Sequence, residues 1–106
     1  MTTESIRELV DEKIAGKKVV VFSKTTCPYC SKAKKILKEK EYNLTKEDLE
    51  IMEIDRHKAT SKIQDYLERL TGARTVPRVF IKGKFIGGGD ETAALHKKNK
   101  LKNMLE

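Results

Sequence analysis

Tryptophan is absent from the 106 residues, proline occurs only twice, and the longest uninterrupted apolar run is VVVF at 19–22. A run of that length excludes a membrane-spanning helix, which needs about 20 apolar residues. The amino-terminal MTTESIRELVDEKIAG has neither the basic start nor the apolar centre of a secretory signal. The expected address is therefore a reducing compartment, the cytoplasm. Internal repeats, low-complexity stretches and linkers are also missing, which predicts a single domain over 1–106. There are only two cysteines, too few for a disulfide framework, and a chain of this length can bury a modest core without staples.

What is abundant is charge: charged residues make up 37% of the chain and the formal net charge is +7. Lysines cluster at 32, 34, 35, 38 and 40 and again at 97, 98, 100 and 102. No aromatic residues interleave with them, so these runs read as solvated helix faces rather than a nucleic-acid surface. A basic surface does favour encounters with anionic small molecules and acidic proteins.

Ile6, Leu9, Val10 and Ile14 recur at helical spacing before Gly16, which predicts a first amphipathic helix. KKVVVFSK at 17–24 has the continuous apolar centre of a strand buried on both faces. Pro28, Ala33, Ile36 and Leu37 predict a helix reaching about Lys40, with Pro28 suited to its first turn. LEIMEID at 49–55 alternates as a second strand, and Ala59, Ile63, Tyr66, Leu67 and Leu70 form a helical stripe closed by Gly72. RVFI and KFIG, joined at Lys82 to Lys84, predict a hairpin. Asp90 is expected to cap one final helix over DETAALHKKNKLKNMLE. The order αβαβαββα combines a parallel crossover with a terminal antiparallel hairpin, in a four-stranded mixed sheet flanked by helices. That α/β layout, with its extra amino-terminal helix, is the thioredoxin fold.

Both cysteines lie in KTTCPYCS at 24–31, where strand, loop and helix meet. Cys27 falls at the mouth of the helix and Cys30 one turn in, so the two sulfurs share a side and can close a small disulfide ring. The unpaired N–H groups and positive dipole end of the helix favour a thiolate at Cys27, and Lys24 adds a nearby positive charge. Cys30, facing the core, is expected to stay a thiol until needed. This divides the pair into nucleophile and resolving thiol. A structural zinc site needs about four ligands, and His57 and His96, the only histidines, are not spaced to complete one, so no metal is expected. A purely structural crosslink is disfavoured in a reducing compartment, where such a pair more often does redox chemistry.

Two further stretches stand out. TGARTVPRVF places Pro77 at a strand start, and GGGDE at 87–91 leads three glycines into a helix start, where backbone N–H groups can approach an anion. The ordered set SKTTCPYC, TGARTVPRVF and IGGGDE, running from about Val19 to Leu101, closely resembles the glutaredoxins, specifically their dithiol Cys-Pro-Tyr-Cys class.

The resemblance implies a glutathione-dependent thiol–disulfide oxidoreductase acting in electron transport and cell redox homeostasis. It also implies glutathione as co-substrate, glutathionylated or disulfide-containing proteins as targets, a monomer, and a cis peptide between Val76 and Pro77. Carried over by position, Cys27 is the nucleophile and Cys30 the resolving cysteine of a redox-active disulfide. Lys24 and Tyr29 border glutathione, and Gln64 reaches its glycine carboxylate. Ser61 to Gln64 also fits a capping box that would turn Gln64 back on its own helix; a helix start near Ala59 favours the ligand role. Thr75, Val76 and Pro77 correspond to the segment that pairs with glutathione's cysteine. Gly88, Gly89, Asp90 and Glu91 correspond to the loop holding its γ-glutamyl end. The family often has a second Asp where Glu91 stands, and some members carry a third cysteine at the place of Gly89. Two other readings remain: a glutathione-ligated iron–sulfur carrier, which Pro28 and the second thiol disfavour, and a reductase-fed thioredoxin, disfavoured by the Pro-Tyr insert, Lys24 and the glycine loop.

Overall fold

The computed structural model describes residues 2–106. Val19–Ser23 (β1) buries all five of its residues, and the pleat sends them alternately to two cores. Val19 and Val21 pack with Ala33, Ile36, Leu37, Leu101 and Leu105, while Val20 and Phe22 pack with Ile6, Val10, Ile63, Tyr66 and Leu67. Each such buried side chain contributes about 1.5–3 kcal/mol of apolar transfer, which fixes β1 inside the sheet.

The sheet order is β2–β1–β3–β4, with Leu49–Glu53 as β2, Arg78–Ile81 as β3 and Lys84–Gly87 as β4. β1 runs parallel to β2 and antiparallel to β3, and β3 turns into β4 through Lys82 and Gly83, both at positive φ. This is the four-stranded mixed sheet of a thioredoxin fold. Thr3–Gly16 (α1) and Thr60–Thr71 (α3) cover one face. Pro28–Leu37 (α2), Gly89–Lys97 (α4) and Leu101–Leu105 (α5) cover the other. The strand directions carry a consequence for function: β1, β2 and β4 end, and β3 begins, at one sheet edge. Residues 24–27, 54–56, 75–77 and 87–89 therefore meet there.

Three boundaries depart from expectation. α2 stops at Leu37 rather than Lys40, because the Lys38 N–H is shared between Lys34 and Lys35 carbonyls and Glu39 closes a tighter bond to Ile36. Lys40–Tyr42 is a separate 3-10 turn that tucks Tyr42 into the core. The carboxy-terminal helix is two helices, broken at Asn99 with φ 59°, where the Lys100 N–H reaches back to the Leu95 carbonyl at 2.9 Å. That break lets Leu101 and Leu105 reach the core. Asp90 is not the cap of α4: Gly88 holds that position and Asp90 lies exposed in the first turn. Glu91 does the capping, its Oε1 accepting the Gly88 N–H at 2.6 Å.

Candidate active site

Pro28 is the first residue of α2, where its fixed φ suits the helix and its missing N–H costs nothing. Cys27 is thereby the N-cap, and its Sγ accepts the Cys30 N–H at 3.2 Å, the bond a serine or aspartate usually takes. A main-chain donor and the positive helix end thus converge on a half-buried sulfur. Cys27 Sγ also lies 3.7 Å from the Val76 carbonyl oxygen. The two sulfurs are not bonded to each other.

Cys30 sits three residues further on, on the inward stripe it shares with Ala33 and Leu37, and is fully buried. Burial, and next the bond to Cys27, push its thiol up to about 11. The main chain acts the other way: the Lys24 N–H points at Cys30 Sγ from 3.5 Å and favours its charged form. One helix turn therefore holds an outward sulfur and an inward one in different surroundings.

Beside this pair runs an open cleft of about 330 Å³ lined by Tyr29, Thr75, Val76, Pro77, Arg78, Gly88, Gly89, Asp90 and Glu91. The Val76–Pro77 bond is cis. Tyr29 is 57% exposed and forms one wall. The opposite wall needs glycine at two points. A Cβ on Gly87, at φ 133°, would lie 2.3 Å from Glu91 Cβ. A Cβ on Gly89 would come within 3.1 Å of Tyr29 Cβ and of its carbonyl oxygen, so the start of α4 packs closely on the start of α2.

The glutaredoxin family model matches residues 19–86. Mitochondrial glutaredoxin-2 of Mus musculus is 43% identical over 100 residues, covering 94% of this chain. The chain spans 60% of that relative's length. Oxidised glutaredoxin 2 of Chlamydomonas reinhardtii superposes with a TM-score of 0.87 at 39% identity, covering 99% of this chain and 94% of that one. A buckwheat glutaredoxin–glutathione complex superposes at 0.86 with 36% identity, covering 97% and 89%. The chain belongs to the glutaredoxin family.

Of the residues singled out in the sequence, this glutaredoxin brings Tyr29, Thr75, Val76, Pro77, Gly88, Gly89, Asp90 and Glu91 to the cleft, with Cys27 pointing at Val76. Lys24 and Gln64 are not in its lining. Lys24 contributes its main chain to the cysteine loop, its carbonyl accepting the Cys27 N–H at 3.3 Å. α3 starts at Thr60 with Ala59 as cap, so the Ser61 capping box does not form. Gln64 Nε2 instead donates to the Arg74 carbonyl at 3.0 Å, tying α3 to the segment that enters Thr75. Among the described residues no group of three or more His, Cys, Asp or Glu is set to hold a metal ion.

Three contributors escaped sequence reasoning. Arg78 lines the cleft with its guanidinium over Phe85, 4.9 Å from the ring centroid, and donates to the Pro77 carbonyl at 3.2 Å. Burial lowers its pKa, and the nearby Glu91 carboxylate opposes that. Its position directly after Pro77 was the available signal. Asp55 anchors the loop before Cys27: its carboxylate accepts the Thr25 N–H at 3.1 Å and the Thr25 hydroxyl, which holds the carboxyl below its usual range. An acidic residue closing LEIMEID hinted at such an acceptor. The third is Ser23, the one polar side chain in a buried strand.

Proposed function

We propose that this protein is a dithiol glutaredoxin that reduces protein–glutathione mixed disulfides and protein disulfides at the expense of glutathione. The observation that carries this reading is the Cys27 sulfur, capped by the Cys30 N–H at 3.2 Å and facing Val76 at the end of the cleft.

In the first step the Cys27 thiolate attacks the glutathione sulfur of a glutathionylated protein. The protein sulfur leaves as thiolate and takes a proton from water, and glutathione stays bonded to Cys27. A second glutathione thiolate attacks that glutathione sulfur, giving oxidised glutathione and restoring Cys27. With a protein disulfide, Cys27 bonds to one target sulfur, and Cys30 attacks Cys27 to expel the target thiol. Glutathione then reduces the internal disulfide. Enzymes of this type have potentials of about −200 to −230 mV, within reach of a cytosolic glutathione pool.

Glutathione is proposed to lie along the cleft. Its cysteine would pair with the Val76 backbone, flanked by Thr75 and Pro77. Its γ-glutamyl end would meet the loop of Gly88, Gly89, Asp90 and Glu91, through backbone N–H groups other than that of Gly88 and through the carboxylate of Asp90. Lys24 and Tyr29 would border glutathione, and Gln64 would reach the glycine carboxylate. Glu91, engaged with the Gly88 N–H, is less free to pair with the γ-glutamyl ammonium than a shorter Asp would be. The working unit is proposed to be one monomeric domain in a reducing compartment such as the cytoplasm, with acidic proteins as favoured targets of its +7 surface.

Intact mass after exposure to oxidised glutathione tests the reading. Cys30→Ser gains one glutathione and keeps much of the deglutathionylation rate in an assay coupled to glutathione reductase; Cys27→Ser gains none and is inactive. Equal loss in both variants would contradict a step that needs Cys27 alone.

A further inference from the structure

The order of the strands also orders the loops at the cysteine edge: 54–56 after β2, 24–27 after β1, 75–77 before β3 and 87–89 after β4. The cysteine loop therefore has the cleft on one side and the 54–56 turn on the other. At that turn begins a second and larger open groove, of about 670 Å³, lined by Arg56, His57, Lys58, Ala59, Ser61 and Lys62. Hydrogen bonds hold its frame. The Thr60 hydroxyl points between the Ile54 and His57 carbonyls, 2.7 Å from each, and His57 Nδ1 accepts the Ala59 N–H at 3.0 Å. Arg56, Lys58 and Lys62 line the groove and no carboxylate does. On other faces of the chain such charges are paired: Lys13 and Lys17 with Glu50, Lys34 with Glu53, and Arg74 with Asp65. Arg56 and Lys58 are exposed and take part in no ion pair or side-chain hydrogen bond among the described residues. Asp55, the acidic residue next to Arg56, turns its carboxylate to the Thr25 N–H and hydroxyl.

We infer that this groove docks acidic side chains of the target protein that flank its reactive cysteine, Arg56 and Lys58 being their partners. The inference rests on the glutaredoxin reading, and it places the preference for acidic targets on named residues. A glutathionylated target brings two parts to Cys27. With glutathione along the β3 and β4 side of the edge, the protein part is left the β2 side, where the groove opens. Thr25 stands two residues before Cys27 and is held by Asp55, so the near end of the groove is tied to the cysteine loop. An extended chain spans about 3.3–3.6 Å per residue, which lets carboxylates about three to six residues from the target cysteine reach along the groove while that cysteine faces Cys27. They supply the negative charge that the lining lacks. Pairs of this kind act mainly on encounter and orientation, so they favour the mixed disulfide at Cys27 without changing the sulfur chemistry itself.

The test needs no glutathione, which separates failure of this inference from failure of the proposed function. Cysteine peptides carrying thionitrobenzoate as a mixed disulfide are mixed with the Cys30→Ser protein. The Cys27 thiolate attacks the peptide sulfur, the sulfur–sulfur bond of the probe breaks, and thionitrobenzoate leaves as the coloured thiolate. One peptide has glutamates about three to six residues from its cysteine, and the other has glutamines there. The glutamate peptide should react about three- to tenfold faster at about 20 mM salt, the range that two exposed ion pairs support. The ratio should fall toward one at about 1 M salt, where charges act over only about 3 Å. Arg56→Gln with Lys58→Gln should bring the low-salt ratio below about twofold, while Arg56→Lys with Lys58→Arg keeps both charges and should keep the ratio. Lys97→Gln with Lys100→Gln removes the same net charge beyond the far end of α4 and should leave the ratio unchanged. A ratio near one in the Cys30→Ser protein would overturn the inference. So would an equal fall from the Lys97 and Lys100 pair, which would assign the preference to net charge alone. Loss of the ratio to a few millimolar inorganic phosphate at constant ionic strength would also overturn it, by marking the groove as a site for small anions.

Discussion

The burial of Cys30 makes a prediction about how ring closure depends on pH. Its thiol is pushed up to about 11, first by burial and second by the bond to Cys27. Attack needs the thiolate, and a thiol titrating near 11 is ionised only to about one part in ten thousand at pH 7. Once Cys27 carries a mixed disulfide it no longer opposes charge on its neighbour, so the second cause falls away while burial remains. The thiol then stays above its ordinary value because burial, the larger cause, is unchanged. Closure should therefore accelerate about five- to tenfold per pH unit from pH 7 to about 9, since the thiolate fraction grows nearly in proportion to hydroxide below the pKa. The assay is stopped-flow release of thionitrobenzoate from the Cys27 mixed disulfide across that range. A closure rate that levels off below about pH 8.5, where an ordinary exposed thiol titrates, would refute the argument that burial controls Cys30.

Three further outcomes follow from particular contacts. Gly87→Ala places a Cβ 2.3 Å from Glu91 Cβ at φ 133°, and should lower stability by about 2–4 kcal/mol in urea titration. Glu91→Ala removes the acceptor of the Gly88 N–H, a half-buried capping contact worth about 1 kcal/mol, while Glu91→Gln should retain most of it, as read from the unfolding midpoint. Asp55, held below its usual range by the Thr25 hydroxyl, contributes stability that is present above the ordinary carboxylate pKa and fades as pH falls through its lower native value; Asp55→Asn should flatten that acid limb in thermal melts.

The elements with strong periodicity were legible in the sequence because one physical signal governed each. VVVF could only be a doubly buried strand, and Gly72, at φ 91°, closes α3 as its place after the stripe implied. The boundaries that escaped were settled by competition between groups of similar strength. Asp90 is a good cap by residue type, yet Glu91 reaches the Gly88 N–H from inside the helix and moves the start two residues earlier. Lys38 and Asn99 carry no strong stop signal; the helices end there because Tyr42, Leu101 and Leu105 gain more from reaching the core than the chain gains from further helical turns. The cleft was legible as three separated motifs, because parallel and antiparallel pairing must bring those strand ends to one edge. Arg78, Asp55 and Ser23 were not, because their importance lies in partners distant in sequence or in burial that a single polar letter does not reveal.

The difference between the two sulfurs follows from helix register rather than from composition. Pro28 fixes the first helical position, which makes the preceding residue the cap and the residue three further on the donor that the cap receives. The same interval of three places that donor residue at 30, in line with Ala33 and Leu37 on the stripe that faces the sheet. A single spacing therefore gives one sulfur a main-chain donor and the open cleft, and gives the other the interior. Insertion of one residue between the cysteines would leave the second in line with Ala33 and Leu37 but turn the first by about 100° relative to it. Cys27 would then no longer stand three residues before the N–H that its sulfur accepts, and the chemistry at that sulfur would be lost even though every functional group was still present.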